Sequence, residues 1–136
     1  MKKSFLIVSF LSIAVLSIAQ SDYKVVFDFT SKDSIDHKAI IRWLDGISKT
    51  DSNAQMEVVM YGQGLSLVLK GKSYVPNDVI RLAADKNITF KVCEAAMRNH
   101  NIDKSELLSG VGSVPDGIYE VISKQRQGWG YIKVKN

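Results

Sequence analysis

Two kinds of run alternate along this chain, and that alternation constrains its fold more than any other feature. Short stretches rich in β-branched and aromatic residues recur at 23–29 (YKVVFDF), 55–61 (QMEVVMY), 88–92 (ITFKV), 111–114 (VGSV) and 129–134 (WGYIKV). Such residues suit pleated, half-buried backbone. Between them lie stretches whose apolar residues are three and four apart, the spacing of a helix with one buried face. Ile35, Ala39, Ile40, Trp43, Leu44 and Ile47 form the first stripe, with Ser34 as its expected cap. Val79, Ile80, Ala83 and Ala84 form the second, with Pro76 in its first turn and Asn87 as its stop. A third helix is expected over Glu94 to Asn101, and a fourth, capped by Asp116, carries Ile118, Val121 and Ile122. Strand–helix alternation of this kind predicts an α/β sandwich with a mostly parallel sheet and right-handed crossovers. The third strand alternates Ile88, Phe90 and Val92 with Thr89 and Lys91, so one of its faces is less buried.

Residues 1–19, MKKSFLIVSFLSIAVLSIA, read as an export signal. Lys2 and Lys3 supply a positive start, Phe5 to Ile18 an apolar run, and Ser17 and Ala19 the small residues a signal peptidase reads. The run is shorter than the roughly 20 apolar residues of a membrane anchor. No cysteine follows it for lipid attachment. The expectation is a cleaved leader, 1–19, and a single domain, 20–136, in the periplasm or outside the cell, with no stable membrane anchor. Loss of the two lysines lowers the formal charge of +4 by two. The remaining charge is nearly balanced and has no basic block, which argues against nucleic acid as a partner. One cysteine permits no internal disulfide, so packing alone must hold the fold.

That cysteine, Cys93, falls where the third strand ends and a helix begins. Ligands of open α/β sheets gather beyond the carboxyl ends of strands. Unpaired N–H groups at a helix start favour an anion, and a thiolate is one. Lys91 adds positive charge and Glu94 opposes it. The alternative is a small buried hydrophobe, a common role for a free cysteine. His100 lies seven residues on, roughly 10 Å along a helix and too far to serve as its base. His37 falls on the polar side of the first stripe, and both histidines are expected on the solvated surface. One Cys and two scattered His give no metal-ligand spacing. Gly62-Gln63-Gly64 reads as a tight turn, with a weaker reading as an oxyanion cradle. Met56, Met60 and Trp43 read as core. Asp28, near the end of an apolar strand, is expected either on the edge that carries Cys93 or in solvent. The sequence has neither a dinucleotide-binding glycine fingerprint nor a P-loop, and no cofactor is expected.

The order of elements from Val92 to Val134 resembles the DsrE/DsrF-like family of sulfur-relay proteins. A strand ends in Cys93; then come a helix, a loop with Leu107-Leu108 and Gly110-Val111, Val114, Gly117, and a closing aromatic strand from Trp129 to Val134. Val58 to Leu69, VVMYGQGLSLVL, is similar to the family's second strand and following turn. Many relatives have His where this chain has Tyr61, and some have a second Cys where it has Ala96. The resemblance implies a three-layer α/β/α sandwich with a five-stranded, mostly parallel sheet, flavodoxin-like in appearance. It implies a homotrimer or homohexamer, and a persulfide carried on Cys93 between sulfur donor and acceptor proteins or small thiols. The other reading is an exported binding or interaction module in which Cys93 is structural.

Overall fold

The structure, a computed structural model, describes residues 23–135. The expected leader therefore lies outside the described residues. Among those described, no helix is long and apolar enough to cross a membrane.

The elements follow in the order β1 (Lys24–Phe29), α1 (Ser34–Thr50), β2 (Gln55–Met60), a 3-10 segment (Gly62–Val68) and α2 (Pro76–Ala83). Then come β3 (Ile88–Cys93), α3 (Glu94–Asn99), a short 3-10 turn (Lys104–Glu106), β4 (Gly112–Val114), α4 (Gly117–Arg126) and β5 (Gly130–Val134). All pairs are parallel and the sheet order is β4-β3-β2-β1-β5. From β1 to β4 the chain steps one way across the sheet. It then returns over the whole sheet to place β5 beside β1. Right-handed crossovers running in opposite directions put their helices on opposite faces. Hence α1 and α2 cover one face and α4 the other, as a three-layer sandwich requires.

The two faces differ in chemistry because strand residues alternate sides. Val25, Phe27 and Phe29, Met56, Val58 and Met60, and Ile88, Phe90 and Val92 point to the α1 side and join Ile40, Leu44, Val79 and Leu82 in the main core. Under α4 there is only a small apolar cluster, Val26, Val59 and Val121. Polar groups complete that face. Glu57 is buried there; its Oε2 accepts from Thr89 Oγ1 at 3.0 Å and pairs with Lys124 Nζ at 3.1 Å. Lys124 Nζ also lies 3.7 Å from Glu120 Oε1 and 4.3 Å from the centre of the Trp129 ring. Glu57 Oε1 has no donor of its own. Burial, then a hydrogen bond and repulsion from Glu57, hold the Glu120 carboxyl above its usual range.

Local details depart from the sequence reading in informative ways. Asp33, not Ser34, caps α1, accepting from Ile35 N at 2.8 Å. Ile35 is exposed, while Asp36 and His37 next to it in the first turn are buried. Helix α2 ends at Ala83, four residues before Asn87, and buries Val79 and Leu82 while Ile80 faces out. Of the apolar residues expected to pack from α4, only Val121 does so; Ile118 and Ile122 are exposed.

The largest correction concerns His37, which is 0% exposed. Its ring lies between Phe29, at 5.7 Å, and Tyr74, at 5.3 Å, with Nε2 3.2 Å from Ser66 Oγ. A helical wheel puts His37 outward, but the 3-10 segment and the Tyr74 loop fold back over the start of α1. Gly64 allows that close approach: a Cβ there would run into the Phe29 carbonyl. Gly62, at φ +55°, makes the preceding bend. The Gly64 N–H is spent on Tyr61 O at 3.0 Å, which leaves the turn a packing device.

Candidate functional site

Cys93 ends β3 on the carboxyl edge of the sheet and caps α3. Parallel pairing sets its neighbours. The register matches Met60 with Val92, so the next residue of that strand, Tyr61, comes beside Cys93. On the other side Cys93 is paired with Val114 of β4. Helix α4 begins directly above. A Cβ placed on Gly117 would lie 3.1 Å from Cys93 Cβ, 3.2 Å from Val59 Cγ1 and 3.3 Å from Tyr61 Cδ1. A side chain at residue 117 would therefore press on the cysteine; glycine lets the helix start there. Asp116 fixes that start by accepting from Ile118 N at 2.8 Å and Tyr119 N at 3.0 Å. Under this cover Cys93 is 6% exposed.

The acidic neighbour of Cys93 in sequence is engaged elsewhere. Glu94 accepts from Lys104 Nζ at 2.9 Å and Ser113 Oγ at 2.7 Å, and these two partners lower its pKa. Its opposition to a thiolate, expected from sequence, is thereby reduced. Neither histidine approaches the thiol as a base. His37 is held by Ser66 and the flanking rings, and His100 is exposed at the end of α3.

Asp28 shares the α4 face with Cys93 and is buried. The register sets Asp28 opposite Lys133, and Lys133 Nζ donates to Asp28 Oδ1 at 3.0 Å and to Thr30 Oγ1 at 2.9 Å. Tyr131 OH donates to Asp28 Oδ2 at 2.7 Å. Tyr61 joins this cluster, its ring centre 5.5 Å from Lys133 Nζ. Burial, then Asp28, raises the Tyr61 pKa well above its ordinary value; weaker contributions come from Tyr131 and Cys93. The hydrogen bond to Asp28, then burial, pushes Tyr131 up to about 12. Both phenols therefore stay protonated. Sequence reasoning singled out Asp28 but missed Tyr131 and Lys133 as its partners. Alternate residues of the last strand were a signal, but only with β5 known to lie beside β1. Among the described residues, no group of three or more His, Cys, Asp or Glu could hold a metal ion.

Comparison with known proteins agrees with the fold. The DsrE/DsrF-like family matches residues 24–134. Among solved structures, MTH1491 from Methanobacterium thermoautotrophicum, a protein of unknown function, is 28% identical. It superimposes with a TM-score of 0.77, covering 82% of this chain and 99% of its own. The ychN protein from E. coli is 14% identical, with a TM-score of 0.68 over 82% of this chain and 98% of its own. BT1422 from Bacteroides thetaiotaomicron, a conserved protein of unknown function, is 13% identical, with a TM-score of 0.70 over 85% and 98%. At those two identities the likeness is one of fold. No curated protein matches the chain.

Proposed function

The chain belongs to the DsrE/DsrF-like family, whose members are generally tied to sulfur relay, and from that membership we propose that it is a sulfur carrier using Cys93. In this reading the Cys93 thiolate attacks the outer sulfur of a persulfide donor. The donor's S–S bond breaks, a thiolate leaves, and Cys93 holds the transferred sulfur as its own persulfide. An acceptor thiolate then attacks that outer sulfur and releases Cys93 as a thiolate. No net oxidation occurs in either step.

One observation carries the reading: Cys93 ends a strand on the carboxyl edge, under a helix start that has a glycine where any side chain would press on it. A second reading draws on the 6% exposure of Cys93. It makes the protein a binding module and the cysteine a piece of its packing. The carrier reading also extends to export, on the leader-like residues 1–19, and to a homotrimer or homohexamer, on family resemblance. Finding an exported chain that begins near Gln20, and light scattering above monomer mass, would support those two extensions; an intact N-terminus or a clean monomer would count against them.

Intact mass of the native protein, with and without reductant, tests the function. After exposure to a small persulfide, the carrier gains one sulfur mass that reductant removes. Cys93→Ser and Cys93→Ala keep the fold and gain nothing. A thiol that alkylates only after denaturation, together with no sulfur gain, establishes the module instead.

A further inference from the structure

The buried carboxylate on the α4 side of the sheet lines a cavity that sits apart from Cys93. Glu57 is the third residue of β2 and Thr89 the second of β3, so this cavity lies toward the amino ends of the strands, whereas Cys93 ends β3 at the carboxyl edge. The space measures about 290 Å³, at the small end of ligand pockets, which start at roughly 300 Å³. Lys86, Lys124 and the half-buried Trp129 contribute to its walls. The Glu57 side chain is 4% exposed, and its two oxygens differ: Oε2 takes Thr89 Oγ1 and Lys124 Nζ, and Oε1 takes nothing. A buried carboxylate oxygen without a donor is costly, and buried polar groups in folded proteins are normally satisfied. Positive charge is short as well. Glu57 and Glu120 have the same ammonium, Lys124 Nζ, as their ion-pair partner, at 3.1 and 3.7 Å. Lys91 of β3 also draws Glu120 toward ionisation, yet burial and Glu57 prevail and its pKa stays raised.

The chemistry of that one oxygen selects the ligand. A guanidinium fork is matched to both oxygens of a carboxylate, and Oε2 is taken. A bare metal ion would sit beside the Lys124 ammonium, and among the described residues no group of three or more His, Cys, Asp or Glu could hold one. An ammonium is a compact donor that needs only Oε1 and adds the missing positive charge. A short apolar chain behind it meets the Trp129 ring, and Lys86, an exposed cation lining the same cavity, suits a carboxylate at the other end. We propose that this cavity binds a small aliphatic amino acid, its ammonium donating to Glu57 Oε1 and its carboxylate pairing with Lys86. Thr89 and Lys124 position Glu57 by holding Oε2. Binding makes and breaks no covalent bond, and it is independent of the sulfur chemistry at Cys93.

The test is NMR titration of the protein with β-alanine, propylamine and propionate, probes of one chain length. The readout is the indole N–H resonance of Trp129, told from that of Trp43 by a Trp43→Phe variant. β-Alanine is expected to shift it saturably, propylamine to do so at several-fold higher concentration, and propionate to leave it in place. Glu57→Gln, which removes a charge-assisted hydrogen bond, should weaken β-alanine and propylamine alike by about tenfold. Lys86→Met should bring β-alanine down to the level of propylamine and leave propylamine unchanged. Lys49→Gln, at the exposed end of α1 on the other face of the sheet, should change neither. A Trp129 resonance that no probe moves overturns the proposal and leaves the cavity to water. Equal responses to propionate and β-alanine, or undiminished binding in Glu57→Gln, overturn the assignment of the ammonium to Glu57. Should Glu57→Gln fail to fold, the wild type decides: bound β-alanine must show NOEs from its methylenes to the Trp129 ring, and their absence overturns the proposal. Sulfur uptake at Cys93 is measured separately, so failure of either reading leaves the other standing.

Discussion

Replacing His37 with phenylalanine should flatten the acid dependence of stability. Burial lowers the His37 pKa from its ordinary 6.5, outweighing the Ser31 carbonyl, Asp36 and Asp33, which raise it. The unfolded chain therefore takes up this proton before the folded chain does. The contribution of neutral His37 is complete above pH 6.5 and is lost as pH falls through 6.5 toward the folded value. The slope for one proton is at most about 1.4 kcal/mol per pH unit. For a domain of this size each such unit is up to roughly 6 °C in Tm. Phenylalanine keeps the ring contacts with Phe29 and Tyr74. Ser66 Oγ still donates to Gln63 O at 2.9 Å, so only the Tyr74 N–H, 3.5 Å from His37 Nδ1, loses its acceptor. The variant should start about 1–2 kcal/mol less stable at pH 7.5 and close that gap in acid. Urea denaturation of both proteins at a series of pH values measures it, and the difference between them cancels the carboxylates common to both. Parallel curves between pH 7.5 and 5 would refute the assignment of the proton to His37. His100→Gln, at an exposed site, should leave the slope unchanged.

Two further perturbations address the polar face under α4. Lys124→Met leaves the buried Glu57 without its counter-charge and should cost about 3–5 kcal/mol in denaturant unfolding; a second change, Glu57→Gln, should recover most of it. A loss below about 1 kcal/mol, or no recovery, would show that the pair is not buried as described. Glu120→Gln replaces a carboxyl whose pKa burial and Glu57 raise with a neutral amide. Because burial raises the folded pKa of Glu120, its contribution is full below about 4.5 and is lost as pH rises through the folded value. The glutamine variant should gain on the wild type over that rise, and a constant difference would count against a raised folded pKa at Glu120.

Much of this could be read locally. Runs of β-branched and aromatic residues mark Lys24–Phe29, Gln55–Met60 and Ile88–Cys93 as strands, and apolar residues three and four apart mark Ser34–Thr50 as a helix. The place of Cys93 was equally local, a strand end followed at once by a helix start. Cap identity was not, since Asp33 and Ser34 are both good caps and the choice depends on where the loop enters.

What the sequence by itself determined is the alternation of strands and helices and the position of its one cysteine at a strand end. The tertiary structure alone decided which distant residues meet. His37 is buried by residues 29 and 37 positions later in the chain, Ser66 and Tyr74. Asp28 is paired with Lys133 across 105 positions, and Tyr61 comes beside Cys93 only because β2 and β3 are adjacent and in register. Periodicity reports how one element divides its surface between core and solvent. It carries no information on strand order, and strand order is what brings a carboxylate, two phenols, an ammonium and a thiol to one face.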